Sequence, residues 1–79
     1  MKNRKYLEEQ EKEVKAIIAL KIKQSGLTLT KLAQLSGLSL STVYKLSKEK
    51  ILPSVLTMYK ISKGLGITLA ELFRHDFND

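Results

Sequence analysis

Hydrophobic positions along the chain recur every three or four residues in several separate blocks, a spacing that predicts amphipathic helices. In the first block, Val14, Ile17, Ile18 and Ile22 predict the inward stripe of a helix over residues 6–25. No stretch shows a convincing strand-like alternation of hydrophobic and polar residues. The sequence therefore predicts an all-α protein.

Capping residues and helix breakers divide the rest of the chain into four more predicted helices. Thr28, Ser39 and Thr68 are good N-caps for helices over 29–36, 40–48 and 69–74, and Pro53 with Ser54 starts a helix over 53–63. Glycines 26, 37, 64 and 66 are expected to end or break helices. The predicted inward positions are Leu32, Ala33, Leu38, Val43, Leu46, Val55, Met58, Tyr59, Ile61, Leu72 and Phe73.

The second and third predicted helices have the spacing of a helix-turn-helix. Ala33 lies four residues before Gly37, and Val43 lies six residues after it. A small residue allows two helices to cross closely, and glycine permits the left-handed backbone of a tight turn. In this motif the first helix supports the second in the major groove of DNA.

The outward face of the third predicted helix carries side chains suited to DNA. Lys45 is placed to reach guanine O6 or N7, and Leu40 to touch a thymine methyl group. Small hydroxyl residues at the helix start, Ser39, Ser41 and Thr42, permit close approach to the groove. Tyr44 and Lys48 are better placed for the phosphate backbone.

The charge distribution agrees with a polyanionic partner. The chain has a net charge of +6, and residues 21–50 carry six lysines against the single acidic residue Glu49. A local positive field attracts nucleic acid and accelerates encounter, although a lysine-rich solvated surface has the same composition.

Other function classes find little support in the sequence. The chain has no cysteine, which excludes disulfides and thiolate zinc sites and fits a reducing, cytoplasmic location. No apolar run is long enough for a membrane span. His75 is the only histidine and has no companion for catalysis or metal binding, so no enzyme, cofactor or small-molecule substrate is expected.

Residues 14–73 resemble the Cro/Xre-type, phage-repressor-like helix-turn-helix family. The resemblance rests on GLT at 26–28, KLAQLSGLS at 31–39, STVYKL at 41–46, Pro53 and LGITLAELF at 65–73. It implies a compact five-helix bundle like the lambda-repressor DNA-binding domain. It also implies binding to operator DNA as a dimer and regulation of transcription. Because one small domain contacts little DNA, we interpret the chain as a repressor that binds a palindromic double-stranded operator as a homodimer.

The resemblance also assigns positions to DNA contacts. Base reading falls on Leu40, Ser41, Thr42 and Lys45, whereas backbone contacts fall on Thr28, Leu29, Ser39, Tyr44, Lys48 and Lys50. Three residues depart from the family pattern. Leu29 replaces a glutamine, so the phosphate contact of that side chain is lost or left to the backbone N–H of Leu29. Ser47 replaces a glutamate. Glu49 replaces a glycine, which predicts another path for the following loop.

The expected organisation is an N-terminal extension over 1–13 that extends the first helix or forms an arm, a helix-turn-helix domain over 14–74, and a tail over 75–79.

Leu35 is either a stray exposed leucine or a packing residue for the first helix or a partner. Leu69, Leu72, Phe73 and Phe77 either complete the core or form a two-fold contact. These apolar residues and the three departures support one alternative function, a protein-interaction module, either an antitoxin or an adaptor, with weak DNA binding.

Overall fold

The computed structural model describes residues 2–74, with side chains from Leu7 onward. His75, Phe77 and the rest of the predicted tail lie outside the described residues. Within 2–74 the secondary structure is helical without strands, so the predicted all-α class and five-helix bundle are confirmed. The helices are α1 (Lys2–Ser25), α2 (Leu29–Ser36), α3 (Leu40–Ser47), α4 (Val55–Leu65) and α5 (Leu69–Leu72).

All five helices contribute to one core. Its buried residues are Ile18 and Ile22 from α1, Leu32 and Ala33 from α2, Val43 and Leu46 from α3, Ile61 from α4, and Leu72 from α5. Helix α2 packs against both α3 and α4, while α1 packs against α3 and α5. Leu69 and Phe73 are partly buried against this core. With Leu72 they therefore complete the core rather than form a free two-fold surface.

The predicted caps explain where most helices start. Thr28, Ser39, Ser54 and Thr68 each accept a hydrogen bond from the backbone N–H three residues later. At α5, the Glu71 carboxylate in turn accepts from the Thr68 N–H at 2.9 Å, which completes a capping box. This backbone hydrogen bond, followed by one from the Thr68 hydroxyl, lowers the pKa of Glu71.

Several helix ends differ from the prediction. Helix α1 begins at Lys2 rather than at residue 6, and α3 ends at Ser47, with Lys48 as its C-cap. Helix α4 begins at Val55 because Ser54 is its N-cap, and the buried Pro53 precedes the helix. Helix α5 ends at Leu72 rather than at residue 74.

The predicted rotation of α4 is wrong at two positions. The sequence pattern predicts that Val55 and Tyr59 face the core, but both side chains are exposed. The inward face is instead formed by Met58, Ile61, Ser62 and Leu65, which follow the three-and-four spacing of a helix. Tyr59 follows Met58 directly in the sequence and lies outside that face. Val55 lies in the first turn of α4, whereas the buried residues lie in the second half of the helix.

The prediction that Gly64 breaks a helix is also wrong. It lies inside α4 and is buried, and only Gly66 takes the left-handed conformation at the C-cap, with φ 76°. A β-carbon on Gly64 would lie 2.8 Å from Ser36 Cβ and 3.0 Å from Leu32 Cδ1. Glycine is required here because α4 approaches α2 closely, not because the chain turns.

The turn after α3 is left-handed even though it lacks glycine. Glu49 has φ 59°, and its N–H donates to the Leu46 carbonyl at 3.2 Å. The N–H of Lys50 donates to the Lys45 carbonyl at 2.9 Å, and together these bonds form a Schellman motif. Glu49 thus adopts the conformation that glycine favours, and no other path of the loop is needed to accommodate it.

We expect Glu49→Gly to stabilise the domain. A side chain in the left-handed region costs about 1–2 kcal/mol, and part of that gain is offset by about 0.4–1 kcal/mol of extra unfolded-state entropy for glycine. A net gain of about 0.5–1 kcal/mol should appear in urea unfolding. Glu49→Gln is the matched control, since it removes the charge and keeps the strain. Equal stabilisation by both variants would show that charge, not backbone conformation, is responsible.

We expect Gly64→Ala to destabilise the domain despite the better helix propensity of alanine. The propensity gain is about 1 kcal/mol, whereas overpacking a rigid contact costs roughly 1–3 kcal/mol. Thermal unfolding should show a net loss of up to about 2 kcal/mol. Adding Ser36→Gly removes the opposing Cβ, so the double variant should lose less than the sum of the two single changes. Strict additivity would contradict the proposed contact between α2 and α4.

Candidate nucleic-acid interface

Helix α3 is held by its inner face and leaves its outer face open. Val43 is 0% exposed and Leu46 is 2% exposed, so both side chains are locked into the core. On the opposite side, Leu40, Ser41, Tyr44, Lys45 and Lys48 are all exposed. The structure therefore gathers most of the predicted DNA-contacting residues of this helix on one accessible surface, which we call the α3 face.

A tight turn sets the start of α3 relative to α2. Gly37 has φ 72°, as expected for a left-handed C-cap. The N–H groups of Gly37 and Leu38 both donate to the Ala33 carbonyl, at 3.0 and 3.2 Å. Leu38 is partly buried against the core and anchors the turn. Ser39 then caps α3, and the helix begins without a flexible linker.

Thr42 differs from the other predicted base-reading residues. It is half-buried, and its N–H donates to Ser39 Oγ at 3.1 Å. The Ser39 hydroxyl donates to Thr42 Oγ1 at 2.9 Å. Thr42 and Ser39 thus form the cap of α3, whereas Leu40, Ser41 and Lys45 project freely from the α3 face. Their arrangement suits direct contact with base edges better than that of Thr42 does.

The predicted backbone-contacting residues lie at the two ends of this surface. Tyr44 on α3 and Lys48 at its C-cap are neighbours, with Lys48 Nζ 5.9 Å from the centre of the Tyr44 ring. Ser47, which replaces the family glutamate, donates its hydroxyl to the Tyr44 carbonyl at 2.7 Å. Lys50 is exposed in the loop after α3. These residues form a cationic, partly aromatic edge along the end of the helix.

The start of α2 offers backbone N–H groups rather than a polar side chain at Leu29. Thr28 Oγ1 accepts from the Lys31 N–H at 3.1 Å, and Leu29 occupies the first helical position. The Leu29 side chain is partly buried against the core. N–H groups in the first helical turn lack partners within the helix and favour anions, so the backbone of Leu29 retains the means to bind a phosphate.

An open groove connects these two ends. Leu29 from α2 and Lys48 after α3 both line it, together with Lys23 and Gly26 at the end of α1. Sequence reasoning did not single out Lys23, because the contact between α1 and α3 that forms the groove is tertiary. The only sequence signal was a basic residue in the last turn of a helix. The groove brings a third element, α1, to the edge of the candidate surface.

Apart from the carboxylate of Glu49, which also lines the groove, the exposed charges around this surface are positive. Lys23, Lys31, Lys45, Lys48 and Lys50 are all exposed, on three helices and the loop after α3. Within residues 2–74, no group of histidine and acidic side chains is arranged to hold a metal ion. Of the helices described, none combines the length and the apolar character needed to cross a membrane.

Comparison with known proteins agrees with the geometry. A family model for helix-turn-helix proteins matches residues 18–72. The chain is also 36% identical over 50 residues to the HTH-type transcriptional regulator PuuR of Escherichia coli and to that of Shigella flexneri. Each alignment covers 63% of this chain and 27% of the relative, so the chain spans only a part of the relatives' length. No solved structure gives a significant match.

The family match contains the whole unit formed by α2, the Gly37 turn and α3, and it extends through α4 to Leu72. It begins inside α1, and the N-terminal part of that helix precedes it. On these grounds the chain belongs to the helix-turn-helix family, of the Cro/Xre type.

Proposed function

We propose that the chain is a sequence-specific DNA-binding regulator of transcription that inserts α3 into the major groove. The observation that carries this proposal is the exposed α3 face, held outward by the buried Val43 and Leu46. Leu40, Ser41 and Lys45 read bases, with Thr42 contributing mainly through the cap. We further propose that the protein acts in the cytoplasm as a repressor, by occupying its site, without a cofactor or catalysis.

The phosphate contacts follow from the edges of the same surface. Lys48, Lys50 and the Tyr44 hydroxyl contact one strand near the end of α3. The free backbone N–H groups at the start of α2, next to Thr28 and Leu29, contact phosphates at the opposite end of the interface. Lys23 adds a positive charge at that end. Ser39 adds a contact at the start of α3. Such contacts set the register of the helix and make affinity depend on salt.

Two copies on a palindromic site supply the specificity that one small domain lacks. A single module buries a limited area on DNA, and each base pair read contributes only about 1–3 kcal/mol of discrimination. A two-fold pair of α3 helices spaced about 34 Å apart reads two half-sites in successive major grooves. We therefore propose a homodimer on the operator, with residues 14–74 as the DNA-binding domain and residues 1–13 as an extension.

Selection of bound duplexes from random DNA tests this function directly. We expect a palindrome whose half-site centres lie about 10 base pairs apart, bound with an affinity that falls steeply as salt rises. Recovery of unrelated sequences with equal, weak affinity would contradict the proposal. The alternative, a protein-interaction module with weak DNA binding, predicts that second result, and the exposed apolar residues of α4 are the observation in its favour.

We expect Lys45→Ala to relax the preference at one position of each half-site. Loss of a bidentate contact to guanine should cost about 1–3 kcal/mol and leave discrimination at the other positions intact. Binding isotherms on the selected site and on its single-base variants measure this change. Lys12→Ala is the control, since it removes the same charge outside the family match. A uniform loss on all sequences would show that Lys45 contacts phosphate instead.

We expect Lys48→Ala to weaken binding to all sequences alike. Each phosphate contact contributes about 0.9 to the slope of log affinity against log salt, so the slope should become shallower by about one for each domain bound. Affinities at four salt concentrations on specific and non-specific duplexes suffice. An unchanged slope would place Lys48 away from the DNA.

A further inference from the structure

The open groove beside α1 is large enough to hold a small molecule. Its volume is about 830 Å³, within the range of about 300–1,000 Å³ that is typical of ligand pockets. One wall is the side of α1 over residues 16–23, and the rest is formed by Gly26, Leu27 and Leu29 together with the end of α3. We call it the α1 groove. At about 1.5 Å per residue the α1 wall is about 10 Å long, which suits a molecule with a short apolar chain.

Most of the lining of the α1 groove is apolar. The apolar residues are Ala16, Ala19, Leu20, Ile22, Leu27 and Leu29. Ala19 has only a methyl side chain, which leaves space beside α1, and Leu20 next to it is 45% exposed. Phosphate contacts are polar, so a DNA backbone bound at Lys23 and Lys48 leaves this apolar surface in water. A ligand with an apolar body would gain free energy by covering it.

The charged part of the lining is positive overall. Lys23 lies on the last turn of α1 and Lys48 is the C-cap of α3, and both side chains are exposed. The Glu49 carboxylate also lines the groove, so these three charged side chains leave a net charge of +1. The net charge of +6 on the whole chain adds to the attraction for anions. The α1 groove therefore favours an anionic group over a cationic one.

We propose that the α1 groove binds a small amphipathic carboxylate, that is, a molecule with an apolar chain and a single carboxylate group. The chain packs along Ala19 and Leu20, and the carboxylate accepts hydrogen bonds from the ammonium groups of Lys23 and Lys48. A cation with the same chain meets net repulsion, and a neutral molecule gains nothing from the two ammonium groups. The binding itself does not depend on DNA.

The consequence for DNA binding rests on the proposed function, which assigns Lys23 and Lys48 to phosphates. A carboxylate and a phosphate compete for the same ammonium groups, so the ligand weakens DNA binding. By thermodynamic linkage, DNA weakens binding of the ligand by the same factor. Release of DNA would then be controlled within the DNA-binding domain itself.

Amide NMR spectra of the full chain titrated with octanoate test the binding. We expect saturable shifts of the backbone amides over residues 16–29 and 47–49. Octylamine has an apolar chain of similar length and the opposite charge, and we expect it to bind at least about threefold more weakly. Equal affinities of the two probes, octanoate shifts confined to the exposed side of α4, or no saturable shift in the α1 groove would overturn the proposal.

Two pairs of variants locate the bound octanoate. Ala19→Leu fills the groove and should weaken binding at least about tenfold, whereas Ala70→Leu makes the same change at an exposed site on α5 and should have no effect. Lys23→Gln should weaken binding about threefold, and Lys12→Gln, on the exposed N-terminal half of α1, should not. Thermal unfolding shows which variants are folded, and the lysine pair alone decides if Ala19→Leu is not. Equal affinities within each pair would overturn the proposal.

Duplex binding with and without octanoate, at constant ionic strength, separates this inference from the proposed function. We expect octanoate to weaken DNA binding by the parent and by Ala70→Leu, and to have a smaller effect on Ala19→Leu. Octanoate binding in the groove of a chain without DNA affinity would refute the proposed function and leave the ligand site standing. DNA affinity that is unchanged at saturating octanoate would contradict the competition for Lys23 and Lys48.

Discussion

The arrangement of the candidate DNA surface depends on the burial of Val43 and Leu46. Each side chain contributes about 1.5–3 kcal/mol by leaving water, and both lie on the same side of α3. Their burial fixes the rotation of α3 about its own axis and so decides that Leu40, Ser41 and Lys45 face outward. A helix of eight residues has little stability alone, so this tertiary contact also maintains the helix itself.

Helix α2 transmits this constraint through the rest of the bundle. One of its sides meets α3 across the Gly37 turn, and another meets α4 where Gly64 lies against Ser36. Because both contacts are close, the positions of α3 and α4 are coupled through one short helix. The α3 face and the outer side of α4 are therefore parts of one rigid unit.

The sequence predicts the helix-turn-helix well because its signals are local. Thr28 and Ser39 cap helices through their own side chains, and Gly37 takes a left-handed conformation that few other residues adopt easily. The rotation of α4 is different, because Val55, Leu56, Met58, Tyr59 and Ile61 place apolar residues on several sides of one helix. Periodicity cannot select the inward side among them, and only the position of α2 decides it.

The other features that sequence reasoning missed are also tertiary. A glycine near a helix end looks like a breaker, and only the 2.8 Å approach to Ser36 Cβ shows that Gly64 allows close packing. Glu49 replaces the glycine of the family pattern, and only the neighbouring hydrogen bonds show that the backbone keeps the left-handed conformation there. Lys23 joins the candidate surface only because α1 packs beside α3. The roles of these residues depend on contacts between helices and can be recognised only in the folded structure.

Methylation interference on the selected duplex tests the position of α3 most directly. Methyl groups at guanine N7 project into the major groove, whereas those at adenine N3 project into the minor groove. We expect N7 methylation of guanines to block binding at two clusters about one helical turn apart, and N3 methylation of adenines within the same clusters to have little effect. Interference confined to N3, or none at N7 within the half-sites, would contradict the placement of α3 in the major groove.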